Sequence, residues 1–152
     1  MRAPSPGPKS KALATWCAIL GGAFGLHRFY LYGPRDGWGW MHPLPTLLGL
    51  VGVQRMRQFG QDDRLAWVLI PLLGLMLSAA MLAAIVHALT PDERWNARFN
   101  PQGPESRSGW ATTIGAAVAL FVGAGVLMAT IAFGSQRYFE SQVAPAPTAP
   151  RN

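Results

Sequence analysis

Few residues in this 152-residue sequence have side chains that could carry out acid–base, nucleophilic or metal chemistry: three histidines, one cysteine and seven carboxylates. His27, His42 and His87 do not share a spacing that places two of them on one helix face, so metal ligation would need a fold that gathers them. Asp62 and Asp63 are adjacent, point in different directions on a helix, and have no His or Glu nearby. They read as a solvated loop or a helix N-cap. Cys17 is alone within an apolar run, cannot form an intramolecular disulfide, and reads as a small hydrophobe. There is no GxSxG, HExxH, Walker loop or paired cysteine. The expectation is a protein that is not an enzyme, with no catalytic residue, cofactor or metal.

The stretch that reads least like accident is Gly21-Gly22-Ala23-Phe24-Gly25-Leu26-His27-Arg28-Phe29-Tyr30-Leu31-Tyr32-Gly33. An apolar run with three glycines meets a His-Arg pair and then an aromatic belt. Arg28 can snorkel to an interface, and Phe29, Tyr30 and Tyr32 suit headgroup depth. Two readings of Arg28 stand side by side. One is a generic anchor on lipid phosphate or helix-end carbonyls; the other is a specific contact with another protein or with the second half of the chain.

The elements that must hold these residues follow from the charge pattern. Half of the residues are hydrophobic and 13% are charged, about half the usual charged share. Those charges fall between long uncharged runs, the pattern of a membrane protein. The net charge of +6 is spread over loops without a basic patch, which argues against nucleic acid. The expected fold is an all-α integral membrane protein with four transmembrane helices as two hairpins, at about 11–32, 45–54, 65–89 and 110–133, between disordered tails 1–10 and 134–152. The first hairpin occupies 11–58, a short loop 59–64, and the second hairpin 65–133 with a loop at 90–109. A basic head before an apolar run also fits a signal peptide, but no small-x-small cleavage site precedes the bulky aromatic stretch.

Within these runs, Gly21 and Gly25 form a GxxxG pair that either admits a second helix or tolerates a bend. Gly115, Ala119 and Gly123 give the last run a flat seam for close packing, and Ala80, Ala84 and Ala88 form a similar stripe. The run 37–53 is interrupted by Pro43 and Pro45 and could be re-entrant or interfacial. Pro71 should kink the third helix or end its first turn. His87 lies within a turn of the interface, where capping or snorkelling accounts for it. Pro91-Asp92-Glu93 could open a surface helix whose Trp95 and Phe99 dip into the headgroups.

Residues 9–58 resemble the TM-two domain family, a two-transmembrane-helix domain found in many bacterial and some animal membrane proteins. The resemblance rests on Lys9-Ser10-Lys11, on Gly21-Gly22-x-x-Gly25-x-His27-Arg28-Phe29-Tyr30-Leu31-x-Gly33, and on the glycine turn and second apolar run that follow. It implies two helices joined by a short loop with the HRFY segment at the junction, and it implies location and not chemistry. Two features depart from the family pattern. Tyr32 intervenes before Gly33, and Gln54-Arg55-Met56 follows Val53 where an aspartate often ends the second helix.

Eight Lys and Arg fall in the tails and the middle loop against five in the other two loops. Four crossings with this bias place both termini in the cytoplasm of a cell membrane, a bacterial cytoplasmic membrane on the family resemblance. The expected role is that of a small multi-pass membrane protein acting through helix, protein or lipid contacts. Its partners are the bilayer and either a membrane-protein partner or a second copy. The alternative is a small transporter or channel subunit, against which stands the lack of acidic residues in the apolar runs.

Overall fold

The computed structural model describes residues 7–143, and all regular structure among them is helical. The helices are α1 (Lys11–Gly21), α2 (Leu26–Tyr32), α3 (Gly37–Met41), α4 (Pro43–Phe59), α5 (Arg64–Leu89), α6 (Asp92–Phe99) and α7 (Trp110–Gln142), with a 3-10 turn at Gly22–Phe24. The all-α expectation holds. Two helices, α5 and α7, are long and apolar enough to cross a membrane. Their 26 and 33 residues correspond to about 39 and 50 Å, against a hydrocarbon core of about 30 Å.

The expected continuous helix over 11–32 is not formed. The chain breaks at the glycines: Gly25 adopts φ +79°, a left-handed conformation that only glycine enters without strain. The chain then doubles back. Leu31 clusters with Ala14, and the Ser10 N–H donates to Tyr30 Oη at 2.8 Å, so α2 returns to the level where α1 began. The tip of this helical hairpin lies beside Ala80 of α5, about two turns in from the Leu89 end. Length counting had fused two half-helices into one span.

Next, α3 and α4 run in sequence with a break at His42. Pro43 begins α4, where its missing N–H costs nothing, so this helix covers more than the expected 45–54. Gly49 and Gly52 of α4 press on Leu73 and Leu69 of α5; a Cβ at Gly52 would sit 2.6 Å from that of Leu69. The turn to α5 uses Gly60 at φ +84° and Asp63, whose carboxylate accepts from the Leu65 N–H and caps α5. Of the two readings of that aspartate pair, the cap is therefore the one found at Asp63. Pro71 lies inside α5, which is assigned as helix on both sides of it.

Helix α7 lies antiparallel to α5, with Gly123 against Met81 and Gly74 against Thr130. It extends to Gln142, so residues 134–142, expected as disordered tail, are helical. Residues 144–152 lie outside the described residues, as do 1–6. The core is small and alanine-rich: Ala18, Ala80, Met81, Ala84 and Ala119 form one buried cluster where α1, α5 and α7 meet. Such small side chains let helix backbones approach closely. Lys11 lies beside Asp92 and Ser108 at one end of the bundle. Arg137 reaches Gln61 and Trp67 at the other. The two ends of the described chain are thus at opposite ends of the bundle, and not at one end as four antiparallel crossings require.

Candidate functional site

The residues singled out by sequence gather at the end of the bundle that carries α6. Gly25 starts α2, and a Cβ there would lie 2.5 Å from the Gly39 carbonyl oxygen. The glycine serves the bend and the close approach of α3. Gly21 faces inward on the returning Leu26 side chain, whereas Gly22, not Gly21, meets α5: its Cβ would lie 2.7 Å from that of Ala80. Three small residues of α7 face its neighbours. Gly115 abuts Thr15 of α1, Ala119 is in the core cluster, and Gly123 abuts Met81.

The His-Arg-Phe-Tyr segment fills the space between α1, α3, α5 and α6. Arg28 forms a two-point ion pair with Asp36, Nε to Oδ2 at 2.6 Å and Nη2 to Oδ1 at 3.2 Å. The same carboxylate accepts from the Gly39 N–H at 2.9 Å and caps α3. Arg28 therefore locks the turn 33–36 within its own half of the chain, a partner the sequence reading did not name. Held in this way, the Asp36 carboxyl lies below the usual carboxylate range. Phe29 packs on Trp40 and on the face of Gly39. Tyr30 takes the Ser10 N–H on its hydroxyl and Lys9 over its ring at 5.0 Å. Gly33 ends α2 at φ +86° in open space.

All three histidines converge, from α2, from the α3–α4 break and from α5. The His27 ring lies 5.6 Å from that of His42 and 5.7 Å from that of His87, and His87 lies 5.9 Å from Trp95. His42 Nδ1 donates to the Trp38 carbonyl oxygen at 2.7 Å, which leaves its Nε2 as an acceptor. His27, 5% exposed, has no hydrogen-bond partner at Nδ1, and His87 has none at Nε2. Among the described residues no group of three or more His, Cys, Asp or Glu side chains is arranged to hold a metal ion. The cluster is an aromatic and polar knot inside the helix bundle, and His87 is part of it, not an interfacial snorkel.

A second feature was not visible in the sequence. Lys11 is 1% exposed. Its ammonium donates to Asp92 Oδ1 at 2.7 Å and to Ser108 Oγ at 2.6 Å. Ser108 N–H closes on Asp92 Oδ2 at 2.9 Å. These contacts, the Lys11 ammonium first and Ser108 second, hold the Asp92 carboxyl well below the usual carboxylate range. Next to it, Trp95 Nε1 donates to the Lys9 carbonyl at 2.9 Å, and Asn100 Oδ1 accepts from the Lys9 N–H at 2.7 Å. Trp95, expected to dip into headgroups, is 1% exposed and packs on Ala14 and Leu31. Lys9, expected in the disordered tail 1–10, and Lys11, expected to open the first helix, are both fastened to the α5–α7 connection. No sequence spacing links residues 81 apart, so only the fold reveals this latch.

Arg98 of α6 donates to Tyr32 Oη at 2.9 Å, and both Arg98 and Arg28 lie over the Tyr32 ring, at 5.9 and 5.1 Å. Below them an open groove of about 320 Å³ runs between α2 and α5. The geometry sets Arg28, Tyr32, His27 and His87 beside an apolar wall of Leu82, Ala83 and Val86, with Arg98 on the Tyr32 hydroxyl. No family model, no curated protein and no solved structure matches this chain, so its likeness to the TM-two domain family rests on the motif residues alone.

Proposed function

We propose that this chain is an integral membrane protein that acts through lipid and helix contacts, built as three crossings and one re-entrant helical hairpin. The observation that supports it is the outward face of the long helices. Leu82 and Val86 of α5, and Leu120, Phe121, Met128 and Ile131 of α7, are all more than half exposed, with Phe121 at 83%. In water so many exposed large apolar side chains would drive aggregation, whereas hydrocarbon solvates them. In this reading α3 with α4 descends, α5 returns, α7 descends again, and α1–α2 enters only half of the bilayer. Its backbone turn is tolerated because it is buried in protein, where Thr46 Oγ1 donates to the Ala23 carbonyl at 2.6 Å.

This arrangement revises the expected orientation. Residues 9–11, 33–36 and 90–109 share one face, and 59–64 shares the other with the end of α7. Of the described Lys and Arg, seven fall on the α6 face and four on the opposite face, so the positive-inside rule places the α6 face in the cytoplasm and the Gln142 end outside. The alternative, a transporter or channel subunit, draws on two features of such proteins: helices broken at mid-depth, here at Gly25 and His42, and ionisable groups in the interior.

Single cysteines at Ser10, Gly60 and Gly103, introduced with Cys17→Ala, test the reading. An impermeant thiol reagent applied to intact cells should label position 60 and spare positions 10 and 103. Recovery of the chain without detergent, or opposite accessibility of positions 10 and 103, would overturn it.

A further inference from the structure

We propose that the groove between α2 and α5 binds an acidic phospholipid, its phosphate at the Arg28–Tyr32–Arg98 rim and an acyl chain along α5. The proposal deepens the membrane reading above and rests on it. The groove of about 320 Å³ has Arg28, Tyr32 and His87 at its polar end and Leu82, Ala83 and Val86 along its apolar wall. That order, cation and hydroxyl beside a strip of small and aliphatic side chains, matches a headgroup above a hydrocarbon tail.

Charge decides which headgroup. No carboxylate lines the groove. The nearest, Asp36, is already taken by Arg28 and by the Gly39 N–H, so the Arg28–Asp36 pair is close to neutral. Asp92 on α6 is taken by Lys11 and Ser108. Arg98 has no carboxylate within ion-pair distance among the described residues. It stands just outside the groove lining, held over the Tyr32 ring with one N–H on the hydroxyl of that rim residue, and its other N–H groups have no hydrogen-bond partner among the described residues. A guanidinium held in this way binds a phosphate by two parallel hydrogen bonds. A zwitterionic headgroup brings its own ammonium to the same cationic rim and gains less.

The test uses the full chain in mild detergent. Its melting temperature is followed against short-chain phosphatidylglycerol, phosphatidylcholine of the same chain length, and inorganic phosphate. Phosphatidylglycerol should stabilise, and the other two should not. Arg98 is itself exposed, so Arg98→Gln should lower the lipid-free melting temperature only slightly, through the lost Tyr32 contact, while weakening the phosphatidylglycerol response roughly tenfold, the loss of one charge-assisted contact. Arg98→Lys should restore part of it, and Ala83→Leu, which fills the wall, should abolish it. Equal stabilisation by phosphatidylcholine, or an Arg98→Gln response equal to wild type, overturns the proposal. Stabilisation by inorganic phosphate alone, equal to that by the lipid, replaces it with a free-anion site. A chain that stays in membranes yet ignores lipid charge sinks only this proposal, whereas a chain recovered without detergent sinks the membrane reading itself.

Discussion

Lys11 and Asp92 stand 81 positions apart in the sequence and 2.7 Å apart in the fold. The ammonium is buried and the carboxylate is about a third exposed, so the pair joins the start of α1 to the connection between α5 and α7 at the edge of solvent. Replacing Lys11 by Met keeps the stem and removes the charge. The variant should lose up to about 1.5–3 kcal/mol, the range for hydrogen bonds to a charged group, with the lower end favoured by solvent screening at Asp92. Thermal unfolding in detergent measures it, and a variant as stable as wild type would show that the latch carries no energy.

The latch has a pH signature. The Asp92 carboxyl is held below its usual value by Lys11 and Ser108. A carboxyl with a depressed folded pKa contributes stability that is complete above its unfolded value of about 3.9 and is lost as pH falls below it. The melting temperature should therefore decline between about pH 4 and more acid values, and more steeply in wild type than in Asp92→Asn. Parallel curves for the two proteins would assign the acid sensitivity to other groups.

Arg28→Lys keeps the charge but cannot make the two-point contact with Asp36. It should melt below wild type and above Arg28→Ala. Generic snorkelling at an interface would instead make lysine equivalent to arginine. A melting curve that superimposes on wild type would favour the anchor over the ion pair.

Two glycines on one helix should behave oppositely. A Cβ at Gly123 would sit 2.7 Å from that of Met81, while Gly125 faces open space. Gly125→Ala should be neutral or stabilising by up to about 1 kcal/mol, the helix-propensity difference. Gly123→Ala should destabilise despite the same propensity gain. Equal effects on thermal unfolding would mean that the α5–α7 contact is looser than described.

The long helices were legible because α5 and α7 are uninterrupted uncharged runs, and the cap at Asp63 was legible because an acidic residue stands just before one of them. The first 32 residues were not. Counting from Lys11 to Tyr32 gives a plausible crossing only if Gly21, Gly22 and Gly25 are passed through, and Gly25 instead turns the chain with φ +79°. The HRFY segment stood out as a motif, yet its partners did not. Asp36 is eight residues from Arg28, across the glycine turn, and His27, His42 and His87 meet only because three elements cross at one level. Trp95 was read outward from its spacing with Phe99, but that face of α6 is turned toward Ala14 and Leu31.

The doubled-back hairpin also sets an order of assembly. Beyond their contacts with each other and with α3 and α4, what holds α1 and α2 in place lies far downstream: Ala80 and Ala84 on α5, Asp92 and Trp95 beyond it, Gly115 and Ala119 on α7. In the membrane reading proposed above, this pair of short helices has no complete span of its own. Its docking then closes loops of about 60 to 100 residues, a loop-closure cost met only once those later elements are present. Truncation after α5 would therefore keep the seat of α1 at Ala80 and Ala84 but remove the Asp92 latch, the Trp95 contacts and the α7 face at Gly115 and Ala119.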